Sequence, residues 1–285
     1  MLLGVHVSIA GHISDAVTRA QALGCTAMQI FSRDPRQWRT SRISPADIAE
    51  FRKRRAGSGI KKVFVHAPYL INLASPEGLL YHGSIRACIA DIKEAQELGA
   101  EYLVVHSGSH KKRGENFGME RVARALNRII EKTAECGVKI LLENTAGSGS
   151  WLGYKFSHHR KIIAGVKNKE RIGICLDTCH AYAAGFDLAT KEGFDRLALQ
   201  IEEQVGFDRV ELVHLNDCKS ALGSHHDVHE HIGKGQIGQA GLKRILKDPR
   251  FSKKAFILET PKDSDTADRR NLAAVKKLRA GRKAG

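Results

Sequence analysis

Compact apolar runs recur along the whole chain, and each is short and rich in β-branched residues. They fall at 2–8 (LLGVHVS), 25–31 (CTAMQIF), 61–68 (KKVFVHAP) and 101–108 (EYLVVHSG). Four more follow at 138–145 (VKILLENT), 171–178 (RIGICLDT), 209–217 (RVELVHLND) and 254–261 (KAFILETP). Nearly continuous apolar runs of this length suit strands of a parallel sheet covered by helices. Between them, apolar positions return at helical spacing in 12–24, 44–57, 78–98, 118–136, 191–204 and 238–247. Ser14 is the expected N-cap of the first helix and Gly24 its C-cap. Ser44 followed by Pro45 has the cap-then-N1 signature of the second. Strand and helix alternate without a linker or low-complexity stretch. The pattern predicts a single (β/α)8 TIM barrel over 1–280 with a short basic tail at 281–285. A doubly wound open sheet is the competing architecture.

The polar residues interrupt this pattern at one place in each unit. His66 ends VFV, His106 ends LVV, Glu143 ends ILL, Asp177 ends ICL, His214 ends ELV and Glu259 ends FIL. In an α/β barrel these are C-terminal strand ends, where active sites form. A single histidine at a strand end is more often a hydrogen-bonded rim residue. The repetition changes that, because a carboxylate at the buried end of an apolar strand costs several kcal/mol unless a charge or a metal compensates it. Three carboxylates with three imidazoles predict shared cations, and the N/O donor set suits zinc or manganese. His180 lies three residues beyond Asp177, and the loop after the seventh strand places Asp227 and His229 one residue apart, although that loop also carries His225, His226 and His231, so spacing alone does not choose the ligands. If that loop is extended, both side chains point the same way. The chemistry expected of such a site is metal-assisted hydrolysis or isomerisation.

Composition narrows the setting. The chain has 285 residues, 42% hydrophobic, with 46 Lys+Arg against 31 Asp+Glu, a formal charge of +15. That is enough apolar material for a substantial core, and the charge favours an anionic partner, nucleic acid first. Six cysteines with no CxxC spacing are expected to be reduced, buried thiols in a cytoplasmic, intracellular protein. The N-terminus does not have the layout of a signal peptide, and no apolar run approaches the ~18 residues of a membrane span. Within IGICLDTCH, Cys175 lies two residues deeper than Asp177 on the same strand face and is expected to be a core residue. Cys179 has no evident partner thiol.

Weaker features lie between the strands. FSRDPRQWRTSR sets Arg33, Arg36, Arg39 and Arg42 around Trp38, a basic loop that can hold a phosphate backbone. Tyr69 and Leu70 follow the third strand and could stack on or wedge into a duplex, or simply line the rim. GSHKKRG at 108–114 and GKG at 233–235 are further phosphate-binding candidates. GSGSWLG at 147–153 is neither a P-loop nor a dinucleotide fingerprint.

Taken together, GVHVSIAGHI, RQWR, VHAPYLINLAS, VVHSGSH, LLENTAGSG, CLDTCHAYAAGFD, VHLNDCKSALGSHHDVHEHIGKGQIG and ILETP resemble the endonuclease IV family of apurinic/apyrimidinic endonucleases over nearly the whole chain. The resemblance implies a (β/α)8 barrel binding three divalent ions, mostly zinc, with manganese an option at the third site. It implies His66 and His106 on the first ion, Glu143 bridging to the second, and Asp177, His214 and Glu259 on the second. His180, Asp227 and His229 would take the third. It further implies cleavage of double-stranded DNA 5′ to abasic sites, giving a 3′-hydroxyl and a 5′-deoxyribose phosphate, and removal of 3′-blocking groups, by a monomer. Glu259, Glu143 and Asp177 would carry the catalysis, with Glu259 positioning the attacking water. Arg36 would enter the minor groove, Tyr69 and Leu70 would fill or flank the opened stack, and Trp38 and Asn72 would support them. Two positions depart from the pattern: Val228 stands where many members carry Arg, and Trp151 where a smaller or polar residue is more common. Two other functions compete, a metal-dependent sugar isomerase or epimerase and a basic nucleic-acid-binding protein with a vestigial site. Nine intact ligand-type residues, the RQWR loop and the charge weigh against both.

Overall fold

The structure is a computed structural model that describes residues 1–34, 38 and 43–281. Arg36, Arg39 and Arg42 lie outside the described residues. The chain alternates β1 (Leu2–Val5), α1 (Asp15–Ala22), β2 (Ala27–Phe31), α2 (Pro45–Ser58), β3 (Lys62–His66), α3 (Gly78–Leu98), β4 (Tyr102–His106) and α4 (Glu115–Lys132). It continues through β5 (Lys139–Glu143), α5 (Phe156–Ala164), β6 (Ile172–Asp177), α6 (Thr178–Ala183), α7 (Lys191–Gln204) and β7 (Val210–His214). A small antiparallel pair, β8 (Asp217–Cys218) and β9 (His229–Glu230), precedes α8 (Gly238–Lys247), β10 (Ala255–Leu258) and α9 (Ala267–Ala280).

The large sheet runs β1-β10-β7-β6-β5-β4-β3-β2, with every pairing parallel. It closes where β1 meets β2. The Val7 N–H donates to the Gln29 carbonyl at 2.8 Å, the Thr26 N–H donates to the Leu3 carbonyl at 2.8 Å, and His6 and Gln29 form a parallel bridge. A Cβ on Gly4 would lie 1.7 Å from the Ala27 carbonyl oxygen, so this seam requires a glycine. The closed ring of strands is a (β/α)8 barrel, and the open doubly wound sheet is excluded.

Strand alternation sorts the side chains. One buried cluster, made of Ala27, Phe64, Tyr102, Val104, Leu141, Cys175, Leu212, Ala255 and Ile257, fills the barrel interior. A second and larger one, including Phe51, Ile92, Leu126, Ile162, Ile201, Leu242 and Val275, lies between sheet and helices. Two residues beyond an interior apolar position, each strand presents a polar one. Phe64 leads to His66, Val104 to His106, Leu141 to Glu143, Cys175 to Asp177, Leu212 to His214 and Ile257 to Glu259. At the opposite end, Lys62, Tyr102, Glu211 and Lys139 hydrogen-bond to one another at 2.7–3.2 Å, closing the floor.

Some local expectations change. Ser14 precedes α1 in helical geometry and makes no side-chain cap, whereas the His12 N–H donates to Asp15 Oδ2. Ser44 does cap α2 through the Asp47 N–H. Helices α5 and α9 arise where no helix is expected, since neither has a side-chain cap and Lys and Arg crowd the apolar positions of α9. Helix α9 ends at Ala280. No helix among the described residues is long and apolar enough to cross a membrane.

Candidate metal centre at the barrel mouth

The other five strand-end residues converge on Glu143, which is fully buried. Its Oε2 lies 3.1 Å from His66 Nε2 and 3.0 Å from His106 Nε2. Its Oε1 lies 3.0 Å from His214 Nδ1 and 3.3 Å from His180 Nδ1. Glu259 Oε2 approaches His214 Nδ1 at 3.2 Å. Asp177 ends β6, and its Oδ1 accepts the His180 N–H at 2.7 Å, so it also starts α6. The β8–β9 pair then sets His229 beside this centre. Asp227 bridges the two histidines, with Oδ2 3.0 Å from His180 Nε2 and Oδ1 3.2 Å from His229 Nε2.

Three compact donor groups are built from histidines and carboxylates alone: His66, His106 and Glu143; Glu143, Asp177, His214 and Glu259; and His180, Asp227 and His229; two more among the described residues add a thiol, Cys175 beside Glu143 and His214, and Cys179 beside Asp177 and His229. Their hydrogen bonding shows that they suit cations. His66 Nδ1 donates to the Ala67 carbonyl at 2.7 Å, His180 Nδ1 to the Asn144 carbonyl at 2.8 Å, and His229 Nδ1 to the Glu259 carbonyl at 2.9 Å. A carbonyl can only accept, so in the neutral rings Nε2 carries a lone pair toward a carboxylate. Two acceptors facing each other at such distances need a proton or a cation between them. His229 Nε2 is buried, and although Asp227 Oδ1 lies 3.2 Å away, the two are not aligned for a hydrogen bond.

The electrostatics say the same. Burial alone would raise Glu143, but the charges of His214 and His106 outweigh it and hold the carboxyl well below its ordinary range. Asp227 and Glu259 are lowered in the same way, against burial, Asp227 by His180 and His229 and Glu259 chiefly by His214 and His6. Burial would lower His214 and His229, yet the carboxylates around them raise the first to about 9 and the second to about 10. The pocket gathers negative charge and demands positive charge in return.

Buried asparagines hold the ligands, and the sequence pattern does not reveal them. Asn144 accepts the Asp177 N–H at 2.7 Å and donates to its carbonyl at 3.0 Å. Asn216 donates to Asp177 Oδ2 at 2.7 Å and accepts the Glu259 N–H at 2.8 Å. His6, one residue past β1, and Gln29, on β2, also reach this layer; Gln29 Nε2 is 2.6 Å from Glu259 Oε1. Both sit in apolar runs that continue past them, so no strand-end signal marks them.

Around the mouth, Tyr69 is 65% exposed and meets Phe31 edge-on, and Leu70 is half-buried. Asn72 is buried, with its side chain donating to the Ser109 carbonyl and accepting the Ser109 N–H, tying two loops together. Trp38 is exposed. Trp151 stands edge-on to His106 at 6.0 Å, and Val228 is exposed. A cavity of about 710 Å³ opens beside the centre, lined by His6, Phe31, Tyr69, His229, Glu259 and Lys262 among others. His225 and His231 bond elsewhere, to the Ala146 carbonyl and to Asp263, and His226 is exposed. Cys175 is in the barrel interior, as its strand position requires. Cys179 is a free, buried thiol that donates to the Val228 carbonyl at 3.5 Å, and Cys218, brought near by the packing of α6 on β8, donates to the Ser220 carbonyl at 3.6 Å.

A family profile described as xylose isomerase-like TIM barrel matches residues 17–283. The chain is 45% identical over 278 residues to a probable endonuclease 4 from Methanoculleus marisnigri, covering 98% of this chain and 99% of the relative. It superposes on the crystal structure of endonuclease IV from Thermus thermophilus with a TM-score of 0.87 and 39% identity, covering 98% of each. It also superposes on a 3-keto-D-glucoside 4-epimerase from E. coli with a TM-score of 0.70 at 14% identity, 97% of this chain and 99% of that one, a likeness of fold alone.

Proposed function

Because this chain belongs to the endonuclease IV family of xylose isomerase-like TIM barrels, we propose that it cleaves duplex DNA 5′ to abasic sites and clears blocked 3′ ends. The observation that carries this reading is the continuous run of donors from His66 through Glu143 to His229, enough for three cations rather than one. His66, His106 and Glu143 would hold one ion, Glu143, Asp177, His214 and Glu259 a second, and His180, Asp227 and His229 the third. Zinc suits this mixed N/O set, and manganese is an option at the third site. Bound divalent ions supply Lewis-acid stabilisation of phosphate charge and make water a stronger nucleophile.

The protein's own groups do the rest. Glu259 borders both the cavity and the donor cluster, so its carboxylate can accept a hydrogen bond from the attacking water and aim it at phosphorus. Attack breaks the P–O3′ bond, leaving a 3′-hydroxyl on one side and a 5′-deoxyribose phosphate on the other. Glu143 and Asp177, both fully buried, keep the donor groups in one rigid frame. An abasic nucleotide flips at low cost, since it surrenders no base stacking. Tyr69 and Leu70 would fill the disrupted stack, with Arg36 in the minor groove and Trp38 and Asn72 as supports. The +15 charge fits a polyanion better than a neutral sugar, which separates this reading from an epimerase on the same fold.

The test is incision of a synthetic duplex with one abasic analogue, followed by end analysis. The expected product carries a 3′ end that a polymerase extends. Absence of incision, or a 3′ end that cannot be extended until trimmed, contradicts the proposal.

A further inference from the structure

His214 faces the donor cluster the opposite way round from its neighbours. His66, His180 and His229 each pin Nδ1–H to a main-chain carbonyl and turn Nε2 inward. His214 turns Nδ1 inward, 3.0 Å from Glu143 Oε1 and 3.2 Å from Glu259 Oε2. Its Nε2 lies 2.8 Å from a side chain instead, Gln29 Oε1. An amide oxygen only accepts, so this contact puts the proton on Nε2 and leaves the Nδ1 lone pair for a cation.

The amide cannot turn over without conflict. Its Nε2 donates to Glu259 Oε1 at 2.6 Å and also lies 3.0 Å from His6 Nδ1. Reversal would set an amide oxygen against the Glu259 carboxylate and an NH2 group against His214 Nε2–H. The backbone is fixed as well, because Gln29 is fully buried and its carbonyl accepts the Val7 N–H across the barrel seam. Ala27, two residues earlier, is a purely apolar filler of the interior. Against that background a fully buried glutamine is costly unless its amide is used.

We propose that Gln29 is the positioning residue of the second cation site, holding His214 in the Nε2–H tautomer while tethering Glu259. This rests on the metal assignment above. The test is zinc affinity of the metal-free chain, measured by competition with a chromophoric chelator, without DNA. Groups behind metal ligands typically matter by ~10–100-fold in affinity. Gln29→Leu is expected to weaken one of three zinc equivalents by about that factor, with a matching fall in kcat and little change in KM for abasic duplex. Gln29→Glu keeps the acceptor for His214 but loses the N–H tether to Glu259, so it is expected to recover only part of the affinity that Gln29→Leu loses. Unchanged zinc affinity in Gln29→Leu, or equal losses in the two variants, overturns the proposal. If the leucine variant does not fold, Gln29→Met, of similar length and without the amide, gives the same comparison. Because zinc is read without DNA, these outcomes stand whatever the incision assay says of the functional reading.

Discussion

The carboxylate of Asp177 accepts the backbone N–H of His180 at 2.7 Å, so one side chain both offers an oxygen to the donor cluster and orients the helix that carries the next donor. The two roles can be separated. Asp177→Asn keeps a cap acceptor and loses the charge, while Asp177→Ala loses both. In metal-free protein the alanine variant is expected to be less stable than the asparagine variant by about 1 kcal/mol, the usual worth of an N-cap. Both should lose incision by at least ~100-fold, since a ligand is gone. Thermal unfolding of the two side by side decides it; equal stability would show that the cap contributes nothing.

The third donor group makes a separate prediction. Asp227 sits between His180 and His229 and shares no atom with Glu143. Asp227→Asn and His229→Gln are therefore expected to lower the zinc content from three per chain to two, with incision falling by about 100-fold or more. Elemental analysis after dialysis reads the count. Three ions retained in both variants would show that these residues hold none.

Outside the metal cluster, a buried ion pair reaches toward the loop that carries Trp38. Arg33 makes a two-pronged contact with Asp91, at 2.9 and 3.1 Å, and also donates to the Trp38 carbonyl at 3.2 Å. A buried pair is weak evidence of stability but fixes geometry. Arg33→Met is expected to weaken abasic-duplex binding by about ten-fold, some 1.4 kcal/mol. Hydrolysis of bis(p-nitrophenyl) phosphate, too small to need the loop, should stay within two-fold of wild type (a rough bound). Equal losses on both substrates would mean that the pair serves the fold and not recognition.

Glu94, one turn from Asp91, is nearly buried and has one carboxylate oxygen without a partner. Burial, then the Asp91 charge, raises it from 4.5 to about 7. Below the unfolded value, both states hold the proton and nothing is lost. As pH rises, the unfolded chain releases its proton first, so stability falls until the folded group titrates near pH 7 and then levels off. Glu94→Gln removes this loss. Relative to wild type, the variant is expected to gain stability between about pH 5 and about pH 8. A Tm difference that does not move with pH would contradict it.

Much of this site can be read from sequence because barrel geometry repeats. Each strand-end ligand lies two residues past an inward apolar position, and His180, Asp227 and His229 are near in sequence to a strand end or to one another. What escapes has physical reasons. Asn144 and Asn216 follow donor residues at strand ends, where asparagine reads as a turn residue, although here Asn144 bonds the Asp177 backbone and Asn216 the Asp177 carboxylate and the Glu259 backbone. Gln29 is followed by Ile30 and Phe31, so its run shows no polar ending, and only the closed seam puts it opposite His214. Cys179 and Cys218 meet because α6 packs on β8, a contact that no local spacing encodes. Helix α9 is hidden by its own lysines and arginines, with Leu272, Val275 and the buried Asn271 on its inner face.

A zinc titration of the metal-free chain, with bound zinc and incision of an abasic duplex read in the same samples, tests the proposed three-ion centre most directly. Incision is expected to rise until the third equivalent is bound, to be absent with magnesium alone, and to disappear on strong chelation. Full incision after a single equivalent, or three bound zinc ions with no incision, would contradict it.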